Sequence, residues 1–434
     1  MLTLRKSTQI EILKECSSER SAGRQTVIVL GAFALLIFSV LSFGAVQEWA
    51  TCVLNCGAAV LFLSWAELQL RNGQIELTNP ALVPALLLGC IPVFQLLSGR
   101  TAYPYATRFQ LFTWVSCAVF FLIGSELAYG NRIRKTLALS ITAFGTLYAI
   151  FAIIQSFLAP PNVLYGFITT HGTGFGSYTN RNHYAGLIEM LLPFGVMSAT
   201  SLTRSSGIRL LAGFGSLVML ASVFLSQSRG GMVSVTVAVL ALTILYWKQH
   251  RSAAALAGIV VSIAITAIFV GYLAYAPISN RSIHEATDQM RVQIARDSIR
   301  LVTKHPLLGS GLGTFPYVYP EVRSFPTDLY VNAAHNDFVQ LTVEVGVVGT
   351  ILSALFFWLV FRNAWRIWYK TREGWAYSTC MAACVACGAL LVHSFFDFNL
   401  QIPANAAVFA FCAGVASSTR ATAADPAKFM DEQC

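Results

Sequence analysis

Long apolar runs alternate with short polar connections along most of this chain. Counting the runs predicts twelve membrane-spanning helices, at 26–46, 50–68, 80–97, 109–129, 136–158, 183–203, 207–226, 231–247, 254–275, 340–361, 376–395 and 401–418. Each run is close to the roughly 20 residues that a helix needs to cross the hydrocarbon core of a bilayer. The pattern therefore predicts an all-α integral membrane protein of about twelve helices.

One long polar stretch interrupts this pattern between the ninth and tenth runs. The predicted organisation is an N-terminal tail, nine spans, a loop, three more spans and a C-terminal tail, at 1–25, 26–275, 276–339, 340–418 and 419–434. Apolar residues at helical spacing within 288–305 predict an amphipathic helix lying on or near the membrane. Gly309, Gly311 and Gly313 then predict a tight turn.

The composition agrees with a membrane protein. Hydrophobic residues make up 56% of the 434 positions and charged residues only 11%, against roughly 25% charged in soluble domains. The first 24 residues are polar and basic, and no small-residue cleavage site follows the first apolar run. The first helix is therefore expected to be retained rather than removed as a signal peptide. None of the ten cysteines lies in the polar loop, so no disulfide framework is expected there.

The basic residues indicate the orientation. With twelve spans both termini share one side, and 19 of the 29 Lys and Arg residues fall on that side. The positive-inside rule then makes both termini cytoplasmic and the long loop external. The ten basic residues left outside include nine arginines. Because the planar guanidinium binds carboxylate and phosphate oxygens bidentately, this bias favours an anionic ligand on the external face.

Arg229, in LSQSRGG, interrupts some forty apolar residues. It is expected either to face a polar cavity or to mark a hairpin tip that extends to the headgroups. Asp397, in HSFFDFNLQIP, lies four residues after His393, on one helix face if the span continues. We expect Asp397 to orient an arginine or a histidine.

His335, in AAHNDF, lies where the loop re-enters the membrane. Its imidazole can take a proton from a hydroxyl near neutral pH, or donate a hydrogen bond to phosphate. The segment 159–186 is rich in Gly, Asn, Tyr and Thr. That composition suits both sugar binding and a re-entrant loop packed between helices, and it places His183 near a ligand.

Common catalytic signatures are missing from the sequence. It has no Walker A loop, no H-E-x-x-H, no G-x-S-x-G and no clustered Asp-x-Asp. The external loop has too few regularly spaced acidic residues to suggest a divalent-metal site. We therefore expect a group transfer without metal or cofactor, in which arginines stabilise a leaving diphosphate.

Several stretches in one order give the chain a resemblance to a known family. They are TNRNHYAGLIEMLLP, LSQSRGG, RVQIARDSIRLVTKHPLLGSGLGTF, AAHNDFVQLTVEVGVVG and HSFFDFNLQIPANA, which together extend over about 172–407. In these stretches the chain resembles the O-antigen ligase and polymerase superfamily of bacterial membrane glycosyltransferases. One departure is Ala295, where many members have an aromatic residue.

The resemblance implies a GT-C-like helical fold in the bacterial inner membrane, with the active site facing the periplasm. The donor would be an undecaprenyl-diphosphate-linked glycan, and the acceptor lipid A-core or another glycan. The implied catalytic residues are Arg229 and Arg291, which would hold the diphosphate, and His335, which would activate the acceptor hydroxyl or assist departure of the carrier. The residues expected to bind substrate are Arg181, Asn182, His183, Arg296, Arg300, Asn336 and Asp397.

The family resemblance leaves the acceptor open. Ligases transfer a finished polymer to lipid A-core, polymerases extend one carrier-linked repeat with another, and a third group glycosylates proteins. Two alternatives from other classes are a transporter for lipid-linked sugars and a structural assembly protein. A transporter would be favoured by two-fold internal repetition, which the sequence lacks, and an assembly protein would leave His335 and the external arginines unexplained. Membrane lipid is an expected partner and nucleic acid is not.

Overall fold

A computed structural model describes residues 23–73, 77, 79–126, 131–160, 162–169, 172–200, 205–250, 264, 281–327, 330–370 and 374–418. The predicted ninth span at 254–275 and the two terminal tails lie almost wholly outside these residues. His171 of the Gly- and Asn-rich segment is outside them too.

Helices account for nearly all of the described secondary structure. They are α1 Gly23–Leu41, α2 Glu48–Asn72, α3 Leu82–Leu97, α4 Pro104–Glu126, α5 Asn131–Leu158, α6 Arg181–Thr200, α7 Ser206–Leu225, α8 Arg229–His250, α9 Arg281–Lys304, α10 Phe315–Val318, α11 Asp337–Lys370, α12 Gly374–His393 and α13 Pro403–Ser417. Two short strands, β1 Val163–Leu164 and β2 Ile168–Thr169, form an antiparallel hairpin with Val163 opposite Thr169.

Eight of the described helices are long and apolar enough to cross a membrane, namely α1, α2, α4, α5, α7, α8, α11 and α12. Helices α3 and α13 are apolar but shorter, and α6 is a helix of 20 residues that is buried along most of its length. The structure thus confirms an all-α membrane protein. Eleven of the twelve predicted spans overlap a described helix, while the count of twelve stays a prediction.

Small residues let the central helices approach closely. A Cβ atom added at Gly124 of α4 would lie 2.5 Å from the carbonyl oxygen of Phe411, and one at Gly414 of α13 would lie 2.3 Å from that of Phe121. Helices in lipid associate by this kind of close packing because the hydrophobic effect no longer drives them together. The paired glycines therefore fix α4 directly against α13.

The predicted amphipathic helix is present as α9, and protein covers part of its apolar face. Ile294 and Leu301 are buried, and they cluster with Phe315, Tyr319 and Val343. This part of the apolar face of α9 therefore packs on the rest of the external loop and the first turns of α11. The loop supplies enough apolar side chains to cover Ile294 and Leu301, while Ile299 is exposed. The location of α9 on or near the membrane stays a prediction.

The glycine turn after α9 interlocks with a break in α11. Gly346 has φ 67° inside α11, and the N–H groups of Val347 and Val348 donate outward to the carbonyls of Pro306 (2.9 Å) and Leu307 (3.2 Å). The three glycines of the predicted turn all have positive φ, which confirms that turn.

A buried carboxylate completes this junction. Glu344 of α11 accepts the N–H groups of Gly313 (2.8 Å) and Phe315 (3.3 Å), and its side chain is hidden from solvent. Each oxygen of this buried carboxyl group thus has a backbone hydrogen-bond partner, as buried polar groups require. The junction therefore fixes α9, which carries Arg291, relative to the start of α11, which follows His335.

Candidate functional site

Three helices begin at the candidate site, and each start is capped by a side chain. The Oδ1 of Asn180 accepts the N–H of Asn182 (2.9 Å) at the start of α6. The Oγ of Ser228 accepts the N–H of Gly231 (3.2 Å) at the start of α8. The Oδ1 of Asn336 accepts two N–H groups, both at 3.0 Å, at the start of α11. Such caps satisfy N–H groups that have no partner within the helix.

Arginines accompany these helix starts. Arg181 and Arg229 are the first residues of α6 and α8, and Nη1 of Arg181 donates to Oε1 of Gln227 at 3.3 Å. The pKa of Arg181 is lowered, first by burial and then by the positive charges of Arg229 and Arg291. Arg181 therefore lies near enough to Arg229 and to Arg291 for each of their charges to act on it, and an anion bound there would relieve that repulsion.

Arg291 reaches this cluster from the external loop. Its Nη1 donates to the carbonyl of Phe396 at 2.9 Å, whereas its Nε is buried and has no hydrogen-bond partner among the described residues. A buried N–H group without an acceptor is costly. The guanidinium thus retains donor capacity at the point where the arginines meet.

A histidine and a carboxylate lie beside the arginines. Nδ1 of His335 is 3.5 Å from Oδ1 of Asp397. The same oxygen accepts the N–H of Phe398 (2.9 Å), and Oδ2 accepts a hydrogen bond from Nδ2 of Asn182. Nε2 of His183 is 3.9 Å from Oδ1. Asp397 thus joins α6, the loop before α11 and the turn after α12.

The charge on Asp397 is strongly stabilised. Burial alone would raise the pKa of this carboxyl, but the contact with His335, the electrostatic influence of the two neighbouring imidazoles and the positive charge of Arg291 outweigh burial, and the pKa lies well below its usual range. The carboxylate is fully buried, while about a quarter of the His335 side chain (26%) remains exposed. A buried, ionised partner orients an imidazole whose other nitrogen can still meet a ligand.

The aromatic ring of Phe398 holds both histidines in place. It makes edge-to-face contacts with His183 at 4.8 Å and with His335 at 4.9 Å between ring centroids. His335 itself has φ 51°, and Gln227 in the SRG stretch has φ 56°. Left-handed backbone at a residue other than glycine is strained and persists only where its surroundings impose it. The chain is therefore held in two strained conformations beside the arginines.

The turn that carries Asp397 is attached to the start of α11. Oδ2 of Asp337 accepts the hydroxyl of Ser394 (2.8 Å) and the N–H of Leu400 (3.1 Å). In return the N–H of Asp337 donates to the carbonyl of Ser394 (2.9 Å). Helix α12 ends at His393, so Asp397 lies on the turn after it and not on a continued helix.

The structure brings most of the predicted site residues together. Arg181, Arg229, Arg291 and His335 meet as described, and Asn182, His183 and Asp397 support them. Asn336 is adjacent, but its Oδ1 caps α11 and its Nδ2 donates to the carbonyl of Phe395 (3.2 Å). Both polar groups of Asn336 thus make hydrogen bonds within the protein, and its role in substrate binding stays a prediction.

Two predicted residues lie elsewhere. Nη1 of Arg300 is 3.5 Å from the carbonyl of Val322 and 3.9 Å from Oδ1 of Asp297, so it braces the external loop. Arg296 is exposed and follows Arg291 by five residues, which turns it roughly 140° around α9. One helix thus presents the three arginines in different directions, and nothing among the described residues supports the predicted role of Arg296 and Arg300 in substrate binding.

Three further residues of the site were not predicted from the sequence: Gln227, Phe398 and the capping residue Asn180. All three lie within the stretches that carry the family resemblance, directly beside or close to residues that were selected. An amide or a phenyl ring has no titratable chemistry to attract attention. Only their closeness in sequence to Arg229, Asp397 and Arg181 could have indicated that they belong to the site.

One comparison with known proteins gives a match. A family model described as O-antigen ligase matches residues 214–354, about a third of the chain. Arg229, Arg291 and His335 lie inside the matched range, whereas Arg181 and Asp397 lie outside it. No curated protein matches the chain. The match bears out the resemblance to the O-antigen ligase and polymerase superfamily and supports an O-antigen ligase-like membrane enzyme.

Proposed function

We propose that this protein is a metal-independent glycosyltransferase of the O-antigen ligase type. It transfers a glycan from undecaprenyl diphosphate to an acceptor hydroxyl on the periplasmic side of the bacterial inner membrane. The observation that carries the proposal is the arrangement of arginines beside the His335–Asp397 pair. Arg181 donates to Gln227, two residues before Arg229, and Arg291 donates to the carbonyl of the residue before Asp397. The O-antigen ligase match, which covers Arg229, Arg291 and His335, gives it further support.

The arginines suit the donor end of the reaction. When the bond between the sugar and the diphosphate breaks, the electron pair stays on the diphosphate, whose negative charge rises. Guanidinium groups already placed around it stabilise that charge in the transition state more than in the ground state. Arg229 and Arg291 would hold the diphosphate bidentately, and Arg181 would add a third positive charge.

The His335–Asp397 pair suits the acceptor end. Nδ1 of His335 faces the Asp397 carboxylate, which leaves Nε2 for the acceptor hydroxyl. As the acceptor oxygen forms its bond to the anomeric carbon, the hydroxyl proton passes to Nε2. The ionised Asp397 then stabilises the imidazolium that results.

The proposal includes a membrane arrangement. Twelve spans with a GT-C-like fold would place both termini in the cytoplasm and the loop with α9 in the periplasm. The excess of Lys and Arg on the side of the termini supports this orientation. The acceptor in this proposal is lipid A-core, and membrane lipid surrounds the bundle.

A transfer assay tests the function. Purified protein receives an undecaprenyl-diphosphate glycan either with lipid A-core or alone, and wild type is compared with His335→Ala. We expect glycosylated lipid A-core from wild type and a loss of at least about a hundredfold in the variant, in the range of general acid–base catalysis. EDTA should leave the rate unchanged.

His305→Ala is the matched control, because His305 is an exposed histidine at the end of α9 and its loss should be neutral. Lengthened glycans from the carrier alone would identify a polymerase instead. A strict need for a divalent cation would refute the metal-free mechanism. Movement of the lipid between leaflets of a proteoliposome, without any transfer, would replace the enzyme with a transporter.

A further inference from the structure

A second histidine–carboxylate pair lies deeper in the bundle. Nδ1 of His393, the last residue of α12, is 3.2 Å and 3.1 Å from the two carboxylate oxygens of Glu189 on α6. The two side chains are 1% and 0% exposed. Neither residue is among those that would contact the donor or the acceptor, so the proposed reaction leaves the pair without a role.

The free edge of the imidazole faces the start of α8. Nε2 of His393 is buried and has no hydrogen-bond partner among the described residues. A Cβ atom added at Gly230 would lie 2.7 Å from Cδ2 and 2.8 Å from Nε2 of that ring. Distances this short are not tolerated between real atoms, so only glycine fits against the imidazole. Gly230 is the residue directly after Arg229.

The next glycine makes the same kind of contact with α6. A Cβ atom at Gly231 would lie 2.5 Å from the Cβ of Ala185. The first turn of α8 therefore packs against α12 on one side and α6 on the other. Glu189 of α6 and His393 of α12 connect those same two helices. Their contact therefore holds together the two helices against which the first turn of α8 packs.

Burying two ionisable groups at this position costs desolvation free energy. Apolar side chains of similar volume often give equal or greater stability than a buried ion pair, and ionisable residues in membrane bundles usually serve a function. Unlike an apolar pair, this pair fixes the orientation of one side chain. The carboxylate of Glu189 fixes the plane of the imidazole, so its edge meets Gly230 in one orientation.

We propose that Glu189 and His393 are positioning residues for Arg229. The pair sets the place of the first turn of α8, and thereby the distance of the Arg229 guanidinium from Arg181 and Arg291. This inference rests on the proposed function, since it assumes that Arg229 holds the donor diphosphate. It predicts that disturbing the pair weakens use of the donor and leaves use of the acceptor unchanged.

The first test is Gly230→Ala. The added methyl group must displace either the imidazole or the turn, so we expect KM for the undecaprenyl-diphosphate donor to rise by on the order of tenfold to a hundredfold, as for small misplacements of a binding group. KM for the acceptor should not change. Gly388→Ala is the matched control, because Gly388 is also on α12 and a Cβ there meets nothing within 4 Å.

Two further variants separate positioning from general damage. Glu189→Gln can still accept a hydrogen bond from Nδ1, so it should keep a donor KM within about threefold of wild type, while Glu189→Leu should behave like Gly230→Ala. In a His393→Ala background the clash is removed, so adding Gly230→Ala should have almost no further effect. If Gly230→Ala raised the donor KM by the same factor in the His393→Ala background as in wild type, the two effects would be additive and the proposal would be overturned.

Measuring the binding of undecaprenyl diphosphate without a glycan tests the positioning role separately from the proposed transferase function. If wild type binds the lipid but transfers nothing, the transferase proposal fails and positioning is judged from the dissociation constants of the same variants. If wild type transfers and Gly230→Ala leaves both donor KM and lipid affinity unchanged, the positioning role is refuted. Failure of wild type to bind lipid diphosphate refutes both proposals.

Discussion

At the residue scale, Asp397 connects the parts of the candidate site. One buried carboxylate contacts His335, His183 and Asn182, and each of these residues comes from a segment far from it in sequence. Its charge is stabilised by those contacts, so removing the charge should disturb the whole group at once. Two predictions concern single residues of this group.

Asp397→Asn tests the stabilised charge. The folded pKa of Asp397 lies below the ordinary carboxyl value of about 4, so its stabilising contribution is fully present above that pH and is lost as pH falls through the folded pKa. We expect the variant to have a lower Tm than wild type by a constant amount between about pH 5 and 8. The difference should narrow only below about pH 4.

Thermal unfolding in detergent across that pH range gives the measurement. Glu321→Gln is the control, because Glu321 forms an exposed ion pair with Lys304 (3.0 Å) and such pairs contribute little. A gap in Tm that already closes between pH 5 and 7 would show that Asp397 titrates there and contradict the depressed pKa.

Arg229→Lys tests the need for a guanidinium. Lysine keeps the positive charge but cannot bind two phosphate oxygens at once. Loss of one charged hydrogen bond, about 1.5–3 kcal/mol, should lower kcat/KM for the donor by on the order of tenfold to a hundredfold. Arg300→Lys on α9 is the matched control and should keep wild-type kinetics. A fully active Arg229→Lys enzyme would contradict bidentate diphosphate binding.

At the element scale, the site is assembled from helix starts. Asn180, Ser228 and Asn336 cap α6, α8 and α11, and each cap directly adjoins a candidate residue, Arg181, Arg229 or His335. Helix N-termini carry partial positive charge and favour anions. The same short sequences therefore end the preceding loop, begin a helix and present the residues that would meet a diphosphate.

Gly309→Ala tests the junction that holds α9 to α11. A Cβ atom at Gly309 would lie 2.3 Å from the backbone of Glu344, and the residue has φ +74°. We expect a marked loss of Tm and a lower transfer rate, because Arg291 on α9 would move relative to His335. Gly73→Ala is the control, with φ +68° and no neighbour within 4 Å.

The control isolates the contact, because both variants carry the same left-handed strain of about 1 kcal/mol and only Gly309→Ala adds a steric clash. Equal losses of Tm in the two variants would show that the junction is not tightly packed. The comparison is best made by thermal unfolding of the two purified variants beside wild type.

At the scale of the whole molecule, the helices carry distant parts of the chain to one end of the bundle. Asn182 and Asp397 are 215 residues apart in sequence and share a hydrogen bond, and Arg291 donates to a carbonyl 105 residues away. Because successive helices run in opposite directions, the starts of α6, α8 and α11 and the end of α12 share that end. The proposed orientation makes it the periplasmic end.

Thiol labelling tests this orientation. Asn332→Cys lies in the loop before His335, and Arg71→Cys lies at the end of α2, both at exposed positions. A membrane-impermeant maleimide should label Asn332→Cys in spheroplasts and Arg71→Cys only after lysis, with the signal of the native cysteines subtracted. The opposite pattern would reverse the topology and put the arginine cluster in the cytoplasm.

The sequence by itself determined the elements of this protein and the identity of most of its candidate residues. Apolar runs fix where helices form because lipid offers no partner to an unbonded backbone, and eleven of the predicted spans overlap described helices. Gly309, Gly311 and Gly313 specify a turn through their own backbone freedom. These are local properties, so local patterns suffice to predict them.

The tertiary structure alone decided which of those residues meet. It separates Arg300 from Arg291 although both lie on one helix, and it packs Ile294 and Leu301 of α9 against the rest of the external loop. It also pairs Glu189 with His393 across 204 residues. Such pairings depend on how whole helices pack, and packing is set by many side chains at once, among them glycines that allow close approach. No stretch of the sequence contains that information, because its partners lie on other helices.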